Sequence, residues 1–504
     1  MGGSLSTCGT IIVRKFTDPT PDVTLFDFNV TDNDTYSYSF TLADEGVETI
    51  SSVLPGSYTV SESTPLPAGW TLEVATCGMD TTGDGNPDTD IIDPGVADVV
   101  VGLNETWVCD FYNVKEATLT LEKTVTNDNG GTLTEDDFQA YISAVAVDWD
   151  TAYTYNPPAA GTAYTASEDT QDGYTASSWG GDCAADGSVT LYPGDNKTCT
   201  ITNNDDPPSL KLIKQVINDN GGEAASSDWN LCADAICVTG SATAVEVTDQ
   251  VGTYDLSEST VAGYTNTSIT CDDNPDVEVS SVTIGLGETK TCTFVNDDDA
   301  PSLKLIKHVN KDNGGTAVAA DWTLYAGADS VTGSETAVEV TDQAGTYALT
   351  ESSVAGYTNT SITCDDNPDV EVTSVTIGLG VNKTCTFVND DDAPSLRLIK
   401  HVSNNNGGTA KAADWTLYAG ANSVTGSETW VEVTDQAGTY DLSESSIANY
   451  TNTSITCDDA PGEVTSVTIG LGETKTCTFV NDDDAPSLKL IKHVIKDNGG
   501  TAVA

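Results

Sequence analysis

Lys214 ends the strand-like run LKLIK, Glu258 ends YDLSE and Asn296 ends CTFVN. Side chains alternate across a strand, so Leu210, Leu212 and Lys214 share a face, as do Tyr254, Leu256 and Glu258, and Cys292, Phe294 and Asn296. The trio therefore points into an apolar interior. A Lys among Leu and Phe loses solvation, its pKa falls, and the neutral amine can attack the Asn carbonyl carbon. Burial raises the Glu pKa, so that a protonated Glu donates to the amide oxygen and relays protons as ammonia leaves. The product is a Lys–Asn amide bond, formed once. The competing account is a buried Lys–Glu ion pair capped by Asn, which is costly unless well satisfied.

The elements that must position this trio repeat along the chain. PSLKLIK starts at Pro208 and Pro301, returns as PSLRLIK at Pro394 and reappears at Pro486, giving periods of 93, 93 and 92 residues. TLTLEK (Thr118 to Lys123) and TIIVRK (Thr10 to Lys15) open two more divergent copies. Self-similarity at this period marks an array of small domains, each long enough to bury a modest core. The expected division is a lead at 1–8, modules at 9–116, 117–206, 207–299, 300–392 and 393–484, and the opening strand of a further repeat at 485–504. That last segment cannot fold alone, and truncation of a longer array is the favoured account of it.

Thr, Val, Tyr and Ser fill the runs between clusters of Gly, Asn and Asp, and no long stretch has helical apolar spacing, so the chain is all-β. In the fourth module the expected strands are Leu303 to Val309, Ala320 to Gly327 with a core Trp322, Thr336 to Thr341, Thr346 to Glu351, Ser361 to Cys364, Glu371 to Ile377 and Thr384 to Asn389. About seven short strands between turn signals is the pattern of a β-sandwich. A formal net charge of −59 over 504 residues disfavours nucleic acid and anionic membrane as partners. No segment approaches the roughly 18 apolar residues of a spanning helix.

Each module has one Cys near its middle and one in its last strand: Cys77 and Cys109, Cys183 and Cys199, Cys271 and Cys292, Cys364 and Cys385, Cys457 and Cys477. Paired spacing suggests disulfides and an extracellular or cell-surface setting. Where sister modules read DWTLYAGADSV, the third reads DWNLCADAICV, so Cys232 and Cys237 arrive together on the two arms of a hairpin. Cys8 is left over.

The segments ADWTLYAG and TDQAGTYALTESSVAGY, with a last strand ending in Asn, resemble the prealbumin-like, Cna B-type (SpaA-like) repeat domains of bacterial pilins and surface adhesins. The resemblance covers five modules and implies five Ig-like, prealbumin-like sandwiches plus a partial sixth. It further implies an isopeptide bond in each, catalysed by Glu: Lys15 to Asn113 with Glu62, Lys123 to Asn203 with Glu168, Lys214 to Asn296 with Glu258, Lys307 to Asn389 with Glu351, and Lys400 to Asn481 with Glu444. Linking first strand to last shields most of each module from tension and leaves fewer conformations to gain on unfolding. With linkers as short as NDDDAP, a semi-rigid rod is expected, and hence a structural subunit of an extracellular fibre, pilus or stalk, with copies of itself as partners.

An adhesin whose repeats form a stalk is the alternative; its module one, with Trp70 and Trp107, would then bind a cell-surface or host ligand. Turnover of an external substrate is not expected, since no nucleophile motif, phosphate loop or zinc spacing is present and the three His follow the repeat. No cofactor is required. Calcium is a candidate at the acidic junctions NDDDA and at Asp84, Asn86, Asp88 and Asp90, whose alternate spacing resembles the start of a calcium loop; a solvated acidic surface is the preferred account. Asn266, Asn359 and Asn452 each begin an N-x-Ser/Thr sequon, and Met1-Gly2-Gly3-Ser4-Leu5-Ser6 matches a myristoylation pattern that an exported array makes irrelevant.

Overall fold

The computed structural model describes residues 8–32, 34–92 and 96–503, with backbone only for 89–92 and 96–98. The expected lead at 1–8 and the myristoylation match therefore lie outside the described residues, Cys8 excepted. The chain is all-β, and among the described residues its helical content is confined to single 3-10 turns such as Ala319–Asp321. Among the described residues, ten sheets follow one another as five pairs.

The fourth module shows the plan. Its opening strand Ser302–Asn310 lies parallel to the last strand Asn382–Asp391, with Lys307 opposite Phe387 and Val309 opposite Asn389. Val338–Thr341 flanks the opening strand and Tyr357–Cys364 flanks the last one, both antiparallel. The second sheet runs in the order Asp329–Thr332, Thr323–Ala326, Gly345–Glu351, Ser374–Ile377. Leu303, Leu305 and Phe387 from the first sheet meet Leu324, Ala326, Leu349, Val375 and Ile377 from the second, with Trp322 among them. Burying each of these Leu, Val, Ile and Phe side chains contributes about 1.5–3 kcal/mol.

Residues 320–322 are not strand, contrary to expectation. The Asp321 carboxylate accepts from the Val318 N–H at 2.8 Å and closes a 3-10 turn, which turns Trp322 into the core at 1% exposure. The same turn recurs at Ala412–Asp414. Module one departs from the plan: Trp70 and Trp107, proposed as a binding surface, are core residues at 6% and 5% exposure, because Trp107 continues the inward face of its strand and the register shift between Leu72 and Val74 puts Trp70 on the face of Ala75 and Cys77. Residues 485–503 carry no strand; Leu488, Leu490 and Ile491 are exposed, with no last strand of a module beside them among the described residues.

All six expected disulfides are present, Cys77–Cys109, Cys183–Cys199, Cys232–Cys237, Cys271–Cys292, Cys364–Cys385 and Cys457–Cys477. Cys8 is not part of these six bridges. In the first, fourth and fifth modules the bridge ties the last strand to the strand antiparallel to it.

The chain forms two compact units, one running to Ile213 and taking in Asn230–Glu258 and Thr270–Thr293, the other made of Lys214–Trp229, Ser259–Ile269 and the chain from Phe294 on. Within the first unit the Val251 N–H donates to Asn129 O at 3.2 Å and the Gly287 N–H to Asp206 O at 2.9 Å. Within the second the same joint recurs twice, Ala344 to Asn220 and Gly380 to Asp299, then Ala437 to Asn313 and Gly472 to Asp392. At each joint a Leu of the following module sits on a glycine: a Cβ on Gly173, Gly263 or Gly356 would stand 2.6–2.7 Å from the Cβ of Leu286, Leu379 or Leu471.

Candidate functional site

The opening strand of the fourth module alternates intermediate and buried residues, and Lys307 takes the third inward position at 0% exposure after Leu303 and Leu305. Asn389 is the third inward residue of the last strand after Cys385 and Phe387, 3% exposed. Glu351 ends its strand in the second sheet, opposite Leu324. The two sheets thus bring amine, carboxamide and carboxylate to one point. The Lys307 amine donates to Asn389 Oδ1 and stands 2.9 Å from Glu351 Oε2, over the Trp322 ring at 4.8 Å.

The fifth module repeats this: Lys400 donates to Asn481 Oδ1 and to Glu444 Oε2, the latter at 2.8 Å, over Trp415. In the third, Lys214 donates to Asn296 Oδ1 over Trp229, while Glu258 ends its strand opposite Leu231. The divergent modules differ. Lys123 pairs with Glu168 between Phe138 and Trp149, but Asn203 Oδ1 is buried without a hydrogen-bond partner. Lys15, above the Phe26 ring, donates to the carbonyls of Phe16 and Phe111 at 2.7 and 3.3 Å and lies 3.9 Å from Glu62; neither polar atom of the Asn113 side chain has a partner.

A model of the prealbumin-like fold domain matches residues 115–201, 205–294, 298–387 and 391–479, well over half of the chain. The chain belongs to the prealbumin-like fold domain family. Its matched repeats are the second to fifth modules, and the first shares their paired sheets. No curated protein matches the chain. Among solved structures it is similar to the Bacillus anthracis TIE protein, at 13% identity over 94% of this chain and 73% of that one, TM-score 0.39. It is similar also to the pilus adhesin SpaC of Lactobacillus rhamnosus GG, at 13% identity over 91% of this chain and 57% of that one, TM-score 0.24. Two B repeat units of the collagen binding protein of Staphylococcus aureus match at 16% identity over 76% of this chain and 99% of that one, TM-score 0.17.

The electrostatics of these prealbumin-like modules follow from burial. Burial pushes the Lys15 amine down to about 8, against the opposing pull of Glu62. It pushes the Glu62 carboxyl up. Lys123, Lys307 and Lys400 are lowered for the same reason, each partly offset by its own Glu. A lowered amine pKa and a raised carboxyl pKa bring both groups nearer their neutral forms.

Two neighbours of the trio were not foreseen. Asp391 lies two residues beyond Asn389 on the same inward face, 3% exposed, and accepts from the N–H groups of Asn313 and Gly315, bracing the loop after the opening strand. Asp298 and Asp483 do the same; inward parity was the signal available for them. The second neighbour is Asn359, read as a sequon, whose Nδ2 donates to Glu351 Oε1 and Asn389 Oδ1, both at 3.1 Å.

Asp88 accepts from Thr81 and Thr82, Asn86 Oδ1 accepts from Arg14, and Asp84 accepts from the Asn86 N–H; the Asp90 side chain lies outside the described residues. Among the described residues, the carboxylates close enough to share one ion are Asp219, Asp297 and Asp298, and Asp312, Asp390 and Asp391. Among the described residues, no helix is long and apolar enough to cross a membrane.

Proposed function

We propose that the chain is a load-bearing subunit of an extracellular fibre, pilus or stalk, in which each module is closed by an amide bond between Lys and Asn, formed once with Glu as proton carrier. The observation that carries this reading is the buried contact of Lys307 with Asn389 beside Glu351, repeated at Lys400. The third module, where Lys214 donates to Asn296, supports it. An unreacted amine in that apolar setting would be expensive to keep; conversion to an amide removes the charge altogether.

The position of the bond gives it a mechanical role. Opening and last strands are adjacent and parallel, so tension entering at Ser302 and leaving at Asp391 shears one strand along the other and loads their hydrogen bonds together. A bond from Lys307 to Asn389 takes that load and leaves the residues between them unstretched. The disulfides and the expected domain boundaries fit an exported array, with further copies of the chain as assembly partners.

The test is the intact mass of the reduced, denatured protein. One ammonia missing per complete module is expected; the mass of the unmodified sequence would defeat the reading. A stalk presenting an adhesive module is the second reading. It is favoured by a depression of about 650 Å³ on module one, lined by Asp32, Tyr36, Leu54 and Tyr58. Glycan or protein retained by module one, and lost on Leu54→Asp, would support it.

A further inference from the structure

The strand beside the last one in the fourth module carries an irregularity. Register with Asn382–Asp391 shifts between Asn359 and Ser361. Counting back from buried Cys364, simple alternation would turn Thr360 inward and Asn359 outward. The extra residue reverses that, as β-bulges beside reactive sites do, and brings Asn359 opposite Asn389. The fifth module has the same shift between Asn452 and Ser454, with Asn452 opposite Asn481.

One carboxamide nitrogen carries two N–H groups, and here both are used. Asn359 Nδ2 lies 3.1 Å from Glu351 Oε1 and 3.1 Å from Asn389 Oδ1. Asn452 Nδ2 lies 3.0 Å from Glu444 Oε1 and 3.2 Å from Asn481 Oδ1. In the third module Asn266 Nδ2 is 3.1 Å from Asn296 Oδ1. We propose that Asn266, Asn359 and Asn452 are catalytic residues of the crosslinking step, polarising the carbonyl that Lys attacks while holding the Glu carboxyl in reach. This rests on the crosslinking reading above.

The step balances without redox change. The neutral Lys307 amine attacks Asn389 Cγ; the Nζ–Cγ bond forms as the carbonyl π pair moves onto Oδ1, where the Asn359 N–H meets the developing negative charge. Glu351 takes a proton from Nζ and passes it to Asn389 Nδ2, the Cγ–Nδ2 bond breaks, ammonia leaves and the pair on Oδ1 re-forms the carbonyl. Amine and primary amide become secondary amide and ammonia. A donor aimed at such an oxygen is worth about 10²–10³-fold in rate.

The divergent modules supply the contrast. The residue opposite the acceptor Asn is Leu72 in module one and Ala176 in module two, neither able to donate from its side chain. In these two modules the carbonyl oxygens of Asn113 and Asn203 are buried without a partner. Ammonia loss should therefore be slower in modules one and two than in the last three.

The experiment is timed intact-mass and peptide analysis of the full chain after expression, with each module's crosslink scored separately. Asn359→Ala should slow linkage in module four about 10²–10³-fold while modules three and five link as in the parent, and Leu72→Asn should speed module one. An undiminished rate in Asn359→Ala overturns the assignment and leaves the crosslink standing. No ammonia loss in any parent module means that the crosslinking reading itself fails. Because Asn359 is exposed, the variant should fold; Asn359→Leu, matching module one, serves as the second substitution. A structural role alone would lower the melting temperature without separating the rates of module four and its neighbours, and that outcome also overturns the proposal.

Discussion

Replacing Asn389 by Ala removes the acceptor carbonyl of module four and leaves Lys307 beside Glu351. The crosslink would join residues 82 apart in sequence, and the Cys364–Cys385 bridge already shortens that loop by a separation of 21. Closing what remains lowers the entropy of the unfolded chain by an amount worth about 4 kcal/mol in the chain-entropy model. Loss of the hydrogen bonds that Asn389 accepts from Lys307 and Asn359 adds roughly 1–3 kcal/mol. For a module of this size each kcal/mol moves the melting temperature by about 4–8 °C, so one calorimetric transition should fall by about 20 °C or more while the others stay. The reduced, denatured variant should also be heavier, by one ammonia, than the side-chain change alone accounts for. A mass shift equal to the Asn-to-Ala change alone would refute the crosslink in this module, whatever the melting curve does.

In an Asn113→Ala variant the Lys15 amine stays free, with a folded pKa near 8 against 10.5 ordinarily. The folded state then binds fewer protons between those values, so its penalty is complete below about 8 and is relieved as pH rises, by about 3 kcal/mol at most; urea unfolding at pH values spanning that range should show stability rising, and a fall would contradict the assigned burial. Exchanging Cys232 and Cys237 for Ser, at a separation of 5, should cost about 2 kcal/mol, and exchanging Cys77 and Cys109, at 32, about 4 kcal/mol, both read from denaturant midpoints. Gly356→Asn should unseat Leu471 and broaden the distance distribution between spin labels on modules four and five, whereas Gly69→Asn, with open space around its Cβ, should leave modules one and two as they were. Equal responses at the two glycines would show that turn chemistry, not the Leu seat, sets the joint.

Much of this was legible in the sequence because period-two alternation carries far along a strand that is buried on one face. LKLIK places Lys307 inward by the same rule as its two leucines, and CTFVN does so for Asn389. Cysteine pairing was legible because each module places one Cys near its middle and one in its last strand, at nearly fixed spacing in the last three modules. Asn359 was not, because one extra residue in its strand reverses the parity and no composition signal marks it. Trp70 and Trp107 were read as surface for lack of a register to place them.

Module five shows how one residue type can serve bond and joint differently. Its turn carries Asn449 at φ 67° where its neighbours have glycine, and the Asp484 N–H still donates to the Asn449 carbonyl at 2.9 Å. The module's own fold is therefore untouched, and so is the trio of Lys400, Glu444 and Asn481. What changes is the surface on which a Leu of an adjoining module would rest, since at the equivalent Gly356 a Cβ would stand 2.6 Å from Leu471. On the crosslinking reading, the trio of a module and the glycine at its joint are separate residues, so substitution at Gly356 should displace Leu471 without changing the linkage of Lys307 to Asn389.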